Sequence, residues 1–86
     1  MKLNKNFITH SNGKDHFIVS TGSNNFNGMV KLNSTAMFIV ICLKKDTTED
    51  EIVAKMLESY EVDDANARKA VKHVVEKLQS IGAIDL

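Results

Sequence analysis

The pattern of apolar and polar positions changes character once along the chain, near Asn33. Before it, apolar residues come in short runs separated by polar clusters; after it, they recur at helical spacing. Phe7-Ile8-Thr9-His10 and His16-Phe17-Ile18-Val19-Ser20-Thr21 are rich in aromatic and β-branched side chains, which suit a pleated, half-buried surface. Between them, Ser11-Asn12-Gly13-Lys14-Asp15 holds an Asn-Gly pair, a hairpin signal because both residues tolerate positive φ. A second polar cluster, Gly22-Ser23-Asn24-Asn25, leads through Phe26-Asn27-Gly28 to a third short strand, Met29-Val30-Lys31-Leu32. Three strands joined in this way predict an antiparallel meander.

After Asn33 the reading is helical. Asn33 or Ser34 can cap a helix running through Lys44, with Lys44-Lys45 at the negative end of its dipole. Periodicity also leaves Phe38-Ile39-Val40-Ile41 open as a buried strand. Thr48 and Glu51 form a capping box, and Glu49-Asp50-Glu51 fill a first turn where acids are favoured. Ile52, Val53, Met56, Leu57 and Tyr60 follow at helical spacing. Asp63 caps a third, longer helix whose Ala67, Ala70, Val71, Val74, Leu78 and Ile81 make one apolar stripe. Gly82 is placed to end it in the left-handed conformation, before a short tail from Ala83 to Leu86. Strands first, then helices, predict an α+β domain of winged helix-turn-helix type: a three-stranded antiparallel sheet followed by three helices.

Composition narrows the class of function. At 86 residues, with 43% hydrophobic and 26% charged positions, the sequence reads as one globular domain over residues 1–86. Lysine plus arginine and aspartate plus glutamate each number 11, so the net charge is zero, which disfavours a dedicated binder of nucleic-acid phosphates. The neutrality hides an asymmetry: residues 1–45 sum to about +5 and residues 46–86 to about −5. Weak attraction between two halves of one domain is the simple explanation; a dipolar surface that orients a charged peptide is the sharper one. Cys42 is the single cysteine, which rules out an internal disulfide and points to a reducing, cytoplasmic setting. The longest apolar run, Ala36 to Leu43, is far too short to span a bilayer, and no apolar stretch follows Lys2 and Lys5 as in a signal peptide.

Residues able to do chemistry are few. With Ser11 to Asp15 as the hairpin loop, His10 and His16 face each other across its base, an arrangement open to a metal but without a carboxylate or thiol beside it. His73, between Lys72 and Val74, reads as a surface residue, and Cys42 as a buried, inert thiol. The acids at 49–51 are explained by their helix terminus, and Gly22-Ser23-Asn24-Asn25 lacks the spacing and Lys-Ser/Thr of a phosphate loop. No catalytic set, metal site or cofactor motif emerges. The chain reads as a binding module.

Phe26 to Asn33, Ala36 with Phe38-Ile39, Thr48 to Val53, Tyr60 to Asp63, and Val71 with Leu78 up to Ile84 form an ordered series of short motifs. The series resembles the PqqD-like family, the recognition elements or peptide chaperones for ribosomally made, post-translationally modified peptides. The resemblance implies a non-catalytic module that binds the leader segment of a precursor peptide by strand addition and presents it to a modifying enzyme, a radical SAM maturase being one such partner. It implies no cofactor, no nucleic-acid or membrane partner, and a monomer or weak homodimer. Carried over to this chain, the receiving edge is Met29, Val30, Lys31 and Leu32. The groove wall on the long helix is Arg68, Val71, Lys72 and Val75, with Val75 off the main stripe and so available at the surface. Two other classes compete. A DNA-binding winged helix would use Arg68, Lys69, Lys72 and Lys77 and would bind duplexes with steep salt dependence, whereas a structural subunit of an enzyme complex would bind no free peptide.

Overall fold

The computed structural model describes residues 1–21 and 28–85. The expected loop from Gly22 to Asn25, Phe26 and Asn27 of the family-like series, and Leu86 lie outside them. The elements run β1 (Lys2–Leu3), β2 (Phe7–Ser11), β3 (His16–Ser20), β4 (Met29–Leu32), α1 (Ser34–Cys42), α2 (Glu49–Ser59), α3 (Asp64–Ser80) and β5 (Ile84–Asp85). Strands β2-β3-β4 form the antiparallel meander, followed by three helices, as the residue pattern predicts. Nothing in the residue pattern announces the second, two-stranded sheet, in which β1 pairs antiparallel with β5. Two residues per strand leave too short a pattern for alternation to register.

The hairpin is one residue longer than the aromatic and β-branched run suggests, because Ser11 pairs with His16. That register corrects the expected histidine pair. His10 lies opposite Phe17, so His10 and His16 project from opposite faces of the sheet. His10 stacks on Phe17 at 6.4 Å between ring centroids, and His16 Nδ1 shares a 2.8 Å hydrogen bond with Ser11 Oγ. Among the described residues no group of His, Cys, Asp and Glu could hold a metal ion. The Asn-Gly signal also works differently from expected. Only Gly13 takes positive φ, at 94°, while Asn12 acts through its side chain, whose Oδ1 accepts from the backbone N–H groups of Lys14 and Asp15.

Residues 38–41 are helical, and Asn33, rather than Ser34, is the cap: its Oδ1 accepts from Ala36 N–H at 2.7 Å. Met37, Ile39 and Val40 are buried in α1, with Ala36, Phe38 and Cys42 packed partly against the core, so the helix is apolar on most of its circumference. This is why its period was ambiguous. The helix stops at Cys42, so Lys44 and Lys45 lie in the turn beyond it and do not complement its dipole as the sequence suggested. In α2 the Thr48 hydroxyl accepts from Glu51 N–H, and Ile52, Val53 and Met56 are buried. Leu57 and Tyr60, which continue the apolar spacing, are substantially exposed, Tyr60 packing edge-on against Phe38.

Helix α3 is capped by Asp63, whose Oδ1 accepts from Asn66 N–H at 2.7 Å. It ends in a Schellman turn: Gly82 has φ 72°, Ala83 N–H donates to Leu78 C=O, and Gly82 N–H donates to Gln79 C=O. Ala67, Val71, Val75 and Leu78 are its buried residues. They meet α1 and α2, and the inward side of the three-stranded sheet contributes Phe7, Ile18 and Leu32 to the same core.

Cys42 is half-buried, not sealed in the core as the apolar run around it implied. Burial pushes its thiol pKa up, partly offset by Lys55 nearby. Since the thiolate is the reactive form, native labelling by iodoacetamide should be slower at neutral pH than for free cysteine and should accelerate as the pH is raised past the ordinary thiol range. Labelling in denaturant should lose that lag; equal rates in the folded and unfolded chain would contradict the burial.

Candidate functional site

Strand β4 stands at the margin of its sheet, and the register decides which of its backbone groups are free. Ser20 N–H donates to Gly28 C=O, which makes that pair hydrogen-bonded, and alternation along an antiparallel ladder then turns Val30 and Leu32 toward β3. On the other side of β3, Thr21 N–H donates to Asn6 C=O, which fixes Val19 and Phe17 as the residues bonded to β2 and gives the same phase. The N–H and C=O groups of Met29 and Lys31 therefore point outward from the sheet. No backbone partner meets them among the described residues. Side chains alternate about the same strand: Val30 and Leu32 face the helices, while Met29 and Lys31 stand on the outer face at high exposure.

Beside this edge runs a groove of about 200 Å³ between β4 and α3. Val30 and Leu32 line it from the strand, Ala36 and Ile39 from α1, and Ala70, Val74, Leu78 and Ile81 from α3. Its polar lining includes Lys31, His73 and Lys77, and no carboxylate. Apolar floor, free strand edge and basic rim are thus contiguous.

The structure redistributes the helix residues assigned to this wall. Val71 is fully buried and Val75 is 4% exposed, so both belong to the core, and Val75 is not the surface residue that its place off the stripe suggested. Arg68 turns to α2 instead. Its guanidinium meets Asp50 at 2.6 Å and Asp64 at 3.0 Å, and those two carboxylates hold it even more firmly protonated than usual. Lys72 is exposed on α3 and does not line the groove. Met29 to Leu32 form the edge strand that the residue pattern predicts. On the helix, the groove wall is Ala70, His73, Val74, Lys77 and Ile81.

The signal that could have found these residues is the width of the apolar arc. At about 100° per residue, Val75 sits roughly 80° to one side of Ala67 and Ala70 roughly 60° to the other. That arc is broader than one packing interface requires. The side bearing Val71 and Val75 is consumed by the core, and the side bearing Ala70, Val74 and Ile81 is left half-buried, facing β4. The commitment of Arg68 to α2 also takes away one of the four cations on which a duplex-binding helix would depend. Among the described residues no helix is long and apolar enough to cross a membrane.

No curated protein sequence matches the chain significantly. Solved structures match its fold. A chain from a structure described as TbiB1 in complex with the TbiA(beta) leader peptide superposes with a TM-score of 0.77, at 16% identity, over 99% of this chain and 100% of that one. A chain described as lasso peptide synthetase B1 complexed with the leader peptide has a TM-score of 0.77, at 20% identity, over 95% of this chain and 93% of that one. The family model of coenzyme PQQ synthesis protein D (PqqD) matches residues 15–84, which takes in β3, the β4 edge, all three helices and the start of β5. The three-strand, three-helix architecture anticipated from the residue pattern is that of this family, and the chain belongs to it: it is a PqqD-family protein.

Proposed function

We propose that this chain is a non-catalytic recognition module that takes up the leader segment of a ribosomally made precursor peptide as an additional strand on β4. The observation that carries this is the outward-facing N–H and C=O pairs of Met29 and Lys31 directly beside an apolar groove. Backbone pairing at an open sheet edge supplies affinity for an extended segment, and side-chain pockets supply selectivity. Met29, Val30, Lys31 and Leu32 form the receiving edge, and Ala70, Val74 and Ile81 the facing wall. Val71 and Val75 support that wall from the core. Two solved structures of the same fold are complexes with leader peptides, which favours this use of the fold. The bound leader is presented to a modifying enzyme, a radical SAM maturase or another, in a reducing cytoplasmic compartment.

Calorimetric titration of the chain with a synthetic leader, taken from a short precursor gene next to its own, tests the proposal. Binding in the low micromolar range is expected, on the order of −8 kcal/mol. Amide shifts should cluster at residues 29–32 and on the flank of α3 bearing Ala70, Val74 and Lys77. Absence of binding at about 1 mM peptide would overturn it.

A further inference from the structure

We infer that the segment held on β4 is acidic: an extended stretch whose inward side chains are apolar and whose neighbouring positions carry carboxylates, selected by Lys31 and Lys77. The inference rests on the peptide-binding function proposed above and adds the charge class of the ligand. Its first support is the groove's composition, with Lys31 on the strand side, His73 and Lys77 on the helix side, and no aspartate or glutamate among the lining residues. A strand lying between them passes between two basic rims.

The second support is register. A residue paired across from Lys31 on an added strand projects from the outer face beside its ammonium, and opposite charges so placed attract, while like charges repel. Lys31 is not locked elsewhere. Its Nζ meets Asp15 at 3.2 Å, but the two side chains are 69% and 40% exposed, and an ion pair in that setting is weak enough to be shared with an incoming carboxylate. Lys77 has no ion-pair partner among the described residues. The next residues along an added strand turn toward the α3 wall, where Val74, Leu78 and Ile81 receive apolar side chains and Lys77, on the same lining, receives a carboxylate at the groove's margin.

The third support is what the neutral net charge excludes. A chain with 11 basic and 11 acidic residues exerts no bulk pull on anions, so a preference for acidic peptides must come from the local field of this groove. The +5 bias of residues 1–45 shows on the strand side as Lys31, and Lys77 supplies the helix side from within the acidic half.

The probe is a displayed library of nine-residue peptides with valine or leucine at alternate positions and glutamate, glutamine or lysine in equal proportion at the others. Selection on the full chain should enrich glutamate over glutamine about threefold at one or more positions and deplete lysine. The double variant Lys31→Gln/Lys77→Gln should erase that bias while still selecting apolar peptides, and Lys31→Glu/Lys77→Glu should turn it toward lysine. Lys44→Gln/Lys45→Gln, away from the groove, should leave it unchanged. Peptides that shift the amides of residues 29–32 without favouring glutamate would overturn the inference and leave the peptide-binding function standing. A bias moved equally by the 44/45 variant would also overturn it. A library from which nothing binds at β4 would count against both.

Discussion

Lys31→Pro should reduce leader affinity at least about tenfold while leaving the fold intact, because the Lys31 N–H points away from β3 and is exposed at the sheet edge. The edge offers two donors and two acceptors, from Met29 and Lys31, and proline removes one donor from the middle of that set. Its ring also occupies the space into which a pairing strand must come. Neither effect touches the β3–β4 ladder, whose bonds come from Val30 and Leu32. The contrast is Val30→Pro one position earlier, which removes a ladder bond beneath Ile18 and should lower the melting temperature sharply or prevent folding. Circular dichroism and calorimetry on both variants check the pair of outcomes. Wild-type affinity in a folded Lys31→Pro variant would mean that the peptide does not pair with β4.

Where the sequence was informative, each signal had a single physical cause. Asn-Gly, the Thr48 and Asp63 caps and the glycine at position 82 report local backbone geometry, and each sits at the turn or helix end it announces. The β4 edge was legible for the same reason, since a four-residue strand after a hairpin and before a capped helix has one neighbour by topology. Signals with two possible causes left the reading open or turned it wrong. Phe38 to Ile41 carry apolar side chains on every side of α1, from the buried Ile39 and Val40 to the exposed Ile41, which erases the period that separates helix from strand. On α3, apolar character marks both the core and the groove, and periodicity gives the direction of the whole arc without saying where one ends. Of the two partners of Arg68, Asp64 lies one turn before it on α3 and was within reach of the local pattern, whereas Asp50, which turns it toward α2, is 18 residues away on another helix. The β1–β5 pair joins the first residues to the last, a contact that local pattern cannot contain.

That ambiguity on α3 makes adjacent valines the sharpest test of the site. Val74 and Val75 are the same residue type one position apart, yet Val74 faces the groove half-buried and Val75 is 4% exposed in the core. Val75→Asp puts a carboxylate among apolar side chains with nothing to pair with, at a cost on the order of 4 kcal/mol, comparable to the whole stability of a domain this small. It should be largely unfolded at 25 °C by circular dichroism. Val74→Asp leaves its carboxylate in reach of solvent in the free chain and should cost only about 1 kcal/mol of stability. Its penalty falls on the complex, where an incoming apolar side chain would desolvate the charge and the groove's own basic rim would lose its contrast. Leader affinity should drop by about tenfold to a hundredfold, roughly 1.4–3 kcal/mol. Val74→Ile, which keeps the wall apolar, should retain binding within a few-fold. The measurement is therefore a melting curve and a titration for each variant. A Val74→Asp chain that folds and still binds as well as wild type would move the peptide off this wall, whereas a folded Val75→Asp chain would show that the core side of α3 has been assigned to the wrong residues.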